Sequence, residues 1–230
     1  MLSKTTSDVP WTKLIVELED AVWDLIKVIA PLAKPATAFG SITALGSLIF
    51  IKKLTASSSS TISFVDGSSD VVLDNSYKEY LFTFNNIHPS VDQPAFQFNL
   101  SIDSGSNYNV TKTSTSFRAY QSEGGGSTAV QYEANHDLAQ STSAERLCAA
   151  DLGNDNDQSL SGYLHLFNPS GTVGVKHYLA NTSHIHESDY SVNFYKAGYG
   201  NTTSAIDAVQ FSMSSGNIDA GEICLYGIAW

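Results

Sequence analysis

The stretch QFSMSSGNIDAGEICLYGI, Gln210–Ile228, decides the fold class. Apolar Phe211 and Met213 alternate with Gln210 and Ser212, the pattern stops at Ser214-Ser-Gly-Asn217, and an apolar run resumes at Ile223. Period-two alternation sends successive side chains to opposite faces of a strand, and Ser, Gly and Asn supply turn conformations. The stretch therefore reads strand, turn, strand.

The same pattern repeats outward from it. A β pattern starts at Leu48-Ile-Phe-Ile, and Thr55 to Thr61 is a Ser-rich turn. Candidate strands follow at Ile62–Val65, Tyr80–Asn86, Phe96–Ile102, Thr113–Tyr120, Tyr163–Phe167, Val173–Leu179, Tyr190–Tyr199, Ala208–Met213 and Ile223–Ile228. Turn clusters lie between many of them, at Asp66–Asp70, Asp103–Ser106 and Asn168–Gly171. Short strands with turn signals at this spacing predict a mainly β fold, a jelly-roll-like antiparallel β-sandwich over residues 48–230. The segment from Ser122 to Asp157 departs from the pattern. It reads as long, polar and irregular, the kind of loop that carries recognition on a rigid sandwich.

Composition agrees with strands. Only 15% of the residues are charged, and Ser with Thr make up roughly a fifth, which suits strands with hydroxyl-bearing outer faces. The net charge is −11, Arg118 and Arg146 are the two arginines, and Lys52-Lys53 is the one basic cluster. Counterion release from phosphate needs clustered Lys and Arg, so no nucleic-acid partner is expected. Cys148 and Cys224 have no metal spacing, and Cys224 reads as a small buried hydrophobe in a strand. Sequons begin at Asn99, Asn109, Asn181 and Asn201, but a chain this rich in Ser and Thr produces them by chance. No signal peptide is read, and Ala36–Ile51, with 16 residues against the ~20 a span needs, predicts no membrane insertion.

Residues 1–47 read differently. Trp11, Ile15, Leu18, Val22, Leu25, Ile29 and Leu32 recur in steps of 4, 3, 4, 3, 4 and 3, the seam of a helix facing a partner. Ser7-Asp8-Val9-Pro10 supplies a cap and a first-turn proline, and Pro31 with Pro35 closes the helix. Seven large side chains buried at roughly 1.5–3 kcal/mol each contribute on the order of 10 kcal/mol before entropy. The seam is expected to be an oligomerisation or anchoring element, covered by sister chains or another protein. Leu14, Trp23, Ile26 and Val28 widen the stripe, so packing on the chain's own body is the competing expectation.

Residues that could do chemistry are scattered. A hairpin across Asn168–Gly171 would set His165 and His177 diagonally on one face with Tyr163, Phe167, Val173, Val175 and Leu179. Two histidines lack the third ligand of a zinc site, so a core or interface role is expected. His184-Ile-His186 shares a face only if it is strand, and a connecting loop is the expectation. Asp66–Asp70 and Asn154–Asp157 read as Asx turns, with calcium as the competing reading. A nucleophile elbow, a phosphate loop and an HExxH helix are all missing, so no enzyme and no cofactor are expected. Tyr120, Tyr132, Tyr195 and Tyr199 are the aromatics a carbohydrate-binding surface would use, with a strand-core role the leading expectation for most of them.

From about Leu48 onward, five stretches carry a resemblance: TISFVDG (Thr61–Gly67), YLFTFNNIHPS (Tyr80–Ser90), YNVTKTSTSFRAY (Tyr108–Tyr120), YLHLFNPSG (Tyr163–Gly171) and Gln210–Ile228. The chain resembles a β domain that recurs in virion proteins of tailed bacteriophages, especially those of marine and cyanobacterial hosts. The resemblance implies a virion component assembled in the host cytoplasm, a fibre or receptor-binding appendage ahead of a capsid decoration protein. It implies symmetric copies, three in the family picture, and transfers no catalytic residue. Expected partners are the chain itself, other virion proteins through residues 1–35, and a host surface glycan.

Overall fold

A computed structural model describes residues 47–229. The seven seam residues from Trp11 to Leu32, and with them the expected helical anchor, lie outside the described residues. Twelve strands make up the described part: β1 (Ser47–Thr55), β2 (Thr61–Val65), β3 (Glu79–Pro89), β4 (Phe96–Ser101), β5 (Lys112–Ser122), β6 (Thr128–Tyr132), β7 (Glu145–Arg146), β8 (Leu160–Phe167), β9 (Lys176–His186), β10 (Tyr190–Gly200), β11 (Ala208–Met213) and β12 (Ile218–Ala229). They form two antiparallel sheets. The larger has the order β1-β12-β3-β8-β9-β10-β5-β6, and the smaller β2-β11-β4-β7.

Alternation explains how the sheets meet. Tyr80, Phe82 and Phe84 of β3 are buried on one side, while Leu81 and Thr83 point to the other. On the smaller sheet, Phe64, Phe96, Phe98 and Phe211 point back at them. Edge-to-face contacts join the two layers: Phe64 to Phe82 at 5.4 Å, Phe82 to Phe211 at 5.4 Å, Phe84 to Phe96 at 5.1 Å, and Phe98 to Tyr178 of β9 at 5.2 Å. Each such ring contributes roughly 1.5–3 kcal/mol by burial alone, which makes this aromatic layer the main source of stability. Phe211, from the stretch quoted first, touches five other rings.

Two expectations are corrected. Residues 122–157 hold β6 and β7, and the rest is tied down by the backbone rather than loose. Lys112 and Ser141 exchange N–H···O bonds at 2.7 and 3.0 Å, Glu133 N donates to Ser116 O at 3.0 Å, and Leu147 N donates to Phe96 O at 2.8 Å. The segment, whose β7 is the edge of the smaller sheet, covers the inner face of β5, β9 and β10. Second, β9 starts at Lys176 and runs to His186, so His184-Ile-His186 is strand and not loop, and Val173 lies in the preceding connection. The β pattern read from Leu48 onward is observed, since Leu48–Ile51 belong to β1.

A candidate interaction face on the larger sheet

The inner face of β5, β9 and β10 carries charge. Arg118 Nη1 donates to Asp151 Oδ2 at 2.6 Å, and its Nε lies 2.7 Å from Glu133 Oε1. Asp151 Oδ1 is 2.8 Å from His184 Nε2, and Glu133 Oε2 is 2.8 Å from His136 Nδ1. Nearby, Lys196 Nζ bonds Glu145 Oε1 at 2.7 Å and also the carbonyl of His136. Tyr178 donates to Glu145 Oε2 at 2.6 Å. Every acid here faces a cation or a hydroxyl donor, while His184 Nδ1 is buried without a hydrogen-bond partner.

The titration shifts follow from this enclosure. Burial would push the Asp151 carboxyl up, but the hydrogen bond and charge of His184, with His186 and Arg118, hold it below its usual value. Burial pulls the Lys196 ammonium down against the opposing pull of Glu145, and drops Lys112 to about 8. The His136 imidazole is also lowered by burial, with Glu133 opposing. Cys148, buried and accepting the N–H of Phe96 at 3.1 Å, is pushed up to about 12 by burial and is no nucleophile. Cys148 faces the core and Cys224 belongs to the larger sheet's outer row, and both are free thiols.

The outer face of the same sheet is the reverse. Direct cross-strand pairs run Tyr132–Phe117, Phe117–Tyr195, Tyr195–Asn181 and Asn181–Tyr163, one continuous row over β6, β5, β10, β9 and β8. Four strand spacings give the row a length of about 19 Å. Its four rings are between 41% and 57% exposed, and Phe117 stacks on Tyr195 with centroids 4.7 Å apart at 11°. Four residues along the strands stands a second ridge, made of Phe167, His177 and Tyr199, with His177 and Tyr199 6.2 Å apart.

Between the ridges the floor drops. Thr115, Ala197 and Leu179 are paired in register there, and the first two are small. The result is a groove of about 710 Å³ running across the strands, continued along the Phe117–Tyr163 ridge by a hollow of about 220 Å³. No acid or arginine lines either hollow, and the one lysine, Lys196, sends its ammonium inward to Glu145. Fixed amides stand beside the rings. Asn181 and Asn193 bond each other at 3.1 and 3.3 Å, and Gln140 bridges Thr113 and Asn201 at 2.7 and 2.9 Å.

The smaller sheet provides the contrast. Its outer side shows hydroxyls and amides satisfied by one another: Gln210 donates to Ser63 at 3.0 Å and Gln97 to Ser212 at 3.1 Å. That side matches the expectation of hydroxyl-bearing outer faces. The aromatic side does not, and an exposed apolar patch of this kind marks an interaction surface.

Of the four tyrosines singled out from sequence, the structure brings Tyr132, Tyr195 and Tyr199 to this face. Tyr120 sits elsewhere, under the Arg118 guanidinium at 5.3 Å and edge-on to Tyr190 at 5.8 Å. His165 and His177 do share the face with Tyr163, Phe167 and Leu179, and His165 lies 2.8 Å from Glu79. Phe117, at the centre of the row, was not anticipated. The acidic turns are self-satisfied, Asp66 accepting the N–H of Leu73 at 2.8 Å and Gln158 that of Asp155 at 3.1 Å. Among the described residues no group of three or more His, Cys, Asp or Glu is arranged to hold a metal, and no helix is long and apolar enough to cross a membrane. No family model, curated protein or solved structure matches the chain.

Proposed function

We propose that this chain is a structural protein of a bacteriophage virion, a fibre or receptor-binding appendage. Symmetric copies, three in the simplest arrangement, are held through the N-terminal segment and display the β domain. The strand order supports a jelly-roll reading of that domain. β1-β12-β3-β8 opposite β2-β11-β4-β7 is the arrangement of two interlocked four-stranded Greek keys, a plan common to viral capsid and lectin domains. The hairpins β5–β6 and β9–β10 then extend one sheet. A shared fold is analogy and does not assign a function.

The observation that carries the proposal is where the exposed rings lie. Four of the five strands bearing the Tyr132–Tyr163 row are the strands added to the eight-stranded plan. The additions thus build a contact surface, while among the described residues Glu133, Glu145 and Asp151 are taken up by internal ion pairs. These features support a binding role.

An antiserum against the β domain tests the reading. The chain is expected to co-sediment with intact phage particles and to be labelled at one fixed position on them, which separates a tail appendage from a head decoration. Recovery in the soluble fraction alone would overturn it.

A further inference from the structure

We propose that the groove between the Tyr132–Tyr163 ridge and the Phe167–Tyr199 ridge binds a neutral polysaccharide chain laid across strands β8, β9, β10 and β5. This rests on the display-domain reading above and names the ligand class of its face.

Shape comes first. The ridges stand four residues apart along the strands, about 13 Å between backbones at the antiparallel rise, and the floor spans three strand spacings, about 14 Å. Such a trough accommodates a single extended chain of a few sugar units and is too narrow for a folded domain. Its chemistry comes next. A pyranose ring has an apolar face and a rim of hydroxyls. The groove offers both complements, exposed rings at Tyr163, Tyr195 and Phe117, and an amide held by Asn193 at Asn181 with hydroxyls at Thr115 and Thr113. Tyrosine also presents contact area at low entropic cost, with a hydroxyl at its tip.

Charge narrows the class. The chain carries −11 overall, and no lysine or arginine projects into the groove, so an anionic polymer would meet no cation and a repelling background. Topology excludes the commonest peptide mode. Strands β8, β9 and β10 are hydrogen-bonded on both sides over the groove, and the outer edge of β5 there is taken by Leu138 and Ser141, so a peptide finds no free edge to add to. A second copy of this chain is a further rival. The face interrupts its rings with Thr113, Thr115, Asn181, Asn193 and His177, a mixture more polar than the core of a permanent interface.

The test is native affinity electrophoresis of the full chain in gels containing soluble β-glucan, mannan or galactan, and in parallel alginate as an anionic polymer. Retardation is expected in at least one neutral gel and not in alginate, unaffected by 0.5 M salt. Tyr195→Ala is expected to lose about tenfold in affinity, the loss of one aromatic anchor. Tyr120→Ala, off the face, should behave as the parent. If Tyr195→Ala fails to fold, Leu179→Ser on the floor serves in its place, with circular dichroism as the check. The proposal is overturned by no retardation in any neutral polymer, by retardation in alginate alone, or by an unchanged affinity in the folded variant. It is also overturned if the variant loses self-association in sedimentation while polymer retardation is unchanged, since the face then belongs to a second copy. Retardation by a chain that never co-sediments with particles would leave the groove assigned and remove the virion reading instead.

Discussion

The two faces of the larger sheet invert the usual distribution. Over β5, β9 and β10 the inward side holds Arg118, His184 and Lys196, and the outward side holds Phe117, Tyr195 and Leu179. Soluble proteins mostly bury rings and expose charges. The difference lies in what each side has for company. Inside, Glu133, Glu145 and Asp151 arrive from one tethered segment and satisfy the cations. Outside, nothing among the described residues covers the rings. Buried charge here is a structural device, and exposed aromatic surface is the functional one.

The sharpest way to break this comparison is to remove an inner partner. Glu145→Ala leaves the fully buried Lys196 ammonium without its carboxylate and Tyr178 without an acceptor. A loss of about 3–5 kcal/mol is expected, because an uncompensated charge stays behind. Urea unfolding monitored by fluorescence measures it. A loss below about 1 kcal/mol would mean that water already reaches the pair, and the inner side would no longer count as buried structure.

A smaller effect comes from crowding the same network. A Cβ at Gly198 would stand 2.4 Å from the Tyr178 hydroxyl and 2.5 Å from its ring carbon. Gly198→Ala must push the ring away from Glu145, at about 1–3 kcal/mol, the range of overpacked cores. An unchanged urea midpoint would show that Tyr178 has room to retreat.

Acid should act on the inner side only. His136 is lowered in the folded state, so the unfolded chain takes up the proton more readily and stability falls as pH drops below about 6.5. Asp151 is lowered as well, and its contribution, complete above the ordinary carboxylate range, is lost only below it. At the alkaline end the depressed Lys112 acts in the same sense. Stability rises between about pH 8 and 10.5 because the unfolded chain still holds a proton that the folded one has lost. Urea midpoints at pH 5, 7 and 9 give these slopes. His136→Gln should flatten the limb between 7 and 5, and an unaltered limb would refute the assignment.

The inversion also explains which parts of the structure were legible in the sequence. Where apolar residues point inward, alternation located the strands, as in Tyr80–Asn86 and Ala208–Met213. Where polar residues point inward it did not. β9 reads as ending near Leu179 because Thr182, His184 and His186 look like loop, yet each faces the interior, with His184 and His186 both directed at Asp151. β6 was hidden between Gly124–Gly126 and a polar run. Phe117 and Arg118 are neighbours, and a sequence rule would bury the first. Only the arrival of Glu133 and Asp151, 15 and 33 residues on, makes the opposite choice favourable. Of the tyrosines proposed for a glycan surface, Tyr195 and Tyr199 share the parity of one legible strand, whereas Tyr132 joins them on β6, which the sequence pattern did not show.

The smallest effect on stability is the most telling about the outer side. Tyr195→Ser removes a ring that is already 41% exposed, so little buried area is lost. Its stack on Phe117 adds the usual worth of an aromatic pair, about 0.5–1.5 kcal/mol. Relief of exposed apolar surface offsets part of that, and a net change of about 1 kcal/mol or less is expected in urea unfolding. The full chain should meanwhile lose its polysaccharide retardation. A residue whose removal abolishes contact with a partner but hardly moves the folding equilibrium is held for that contact. If Tyr195→Ser instead unfolded the domain as Glu145→Ala should, the outer rings would be part of the core's support, and the two faces would not differ in kind.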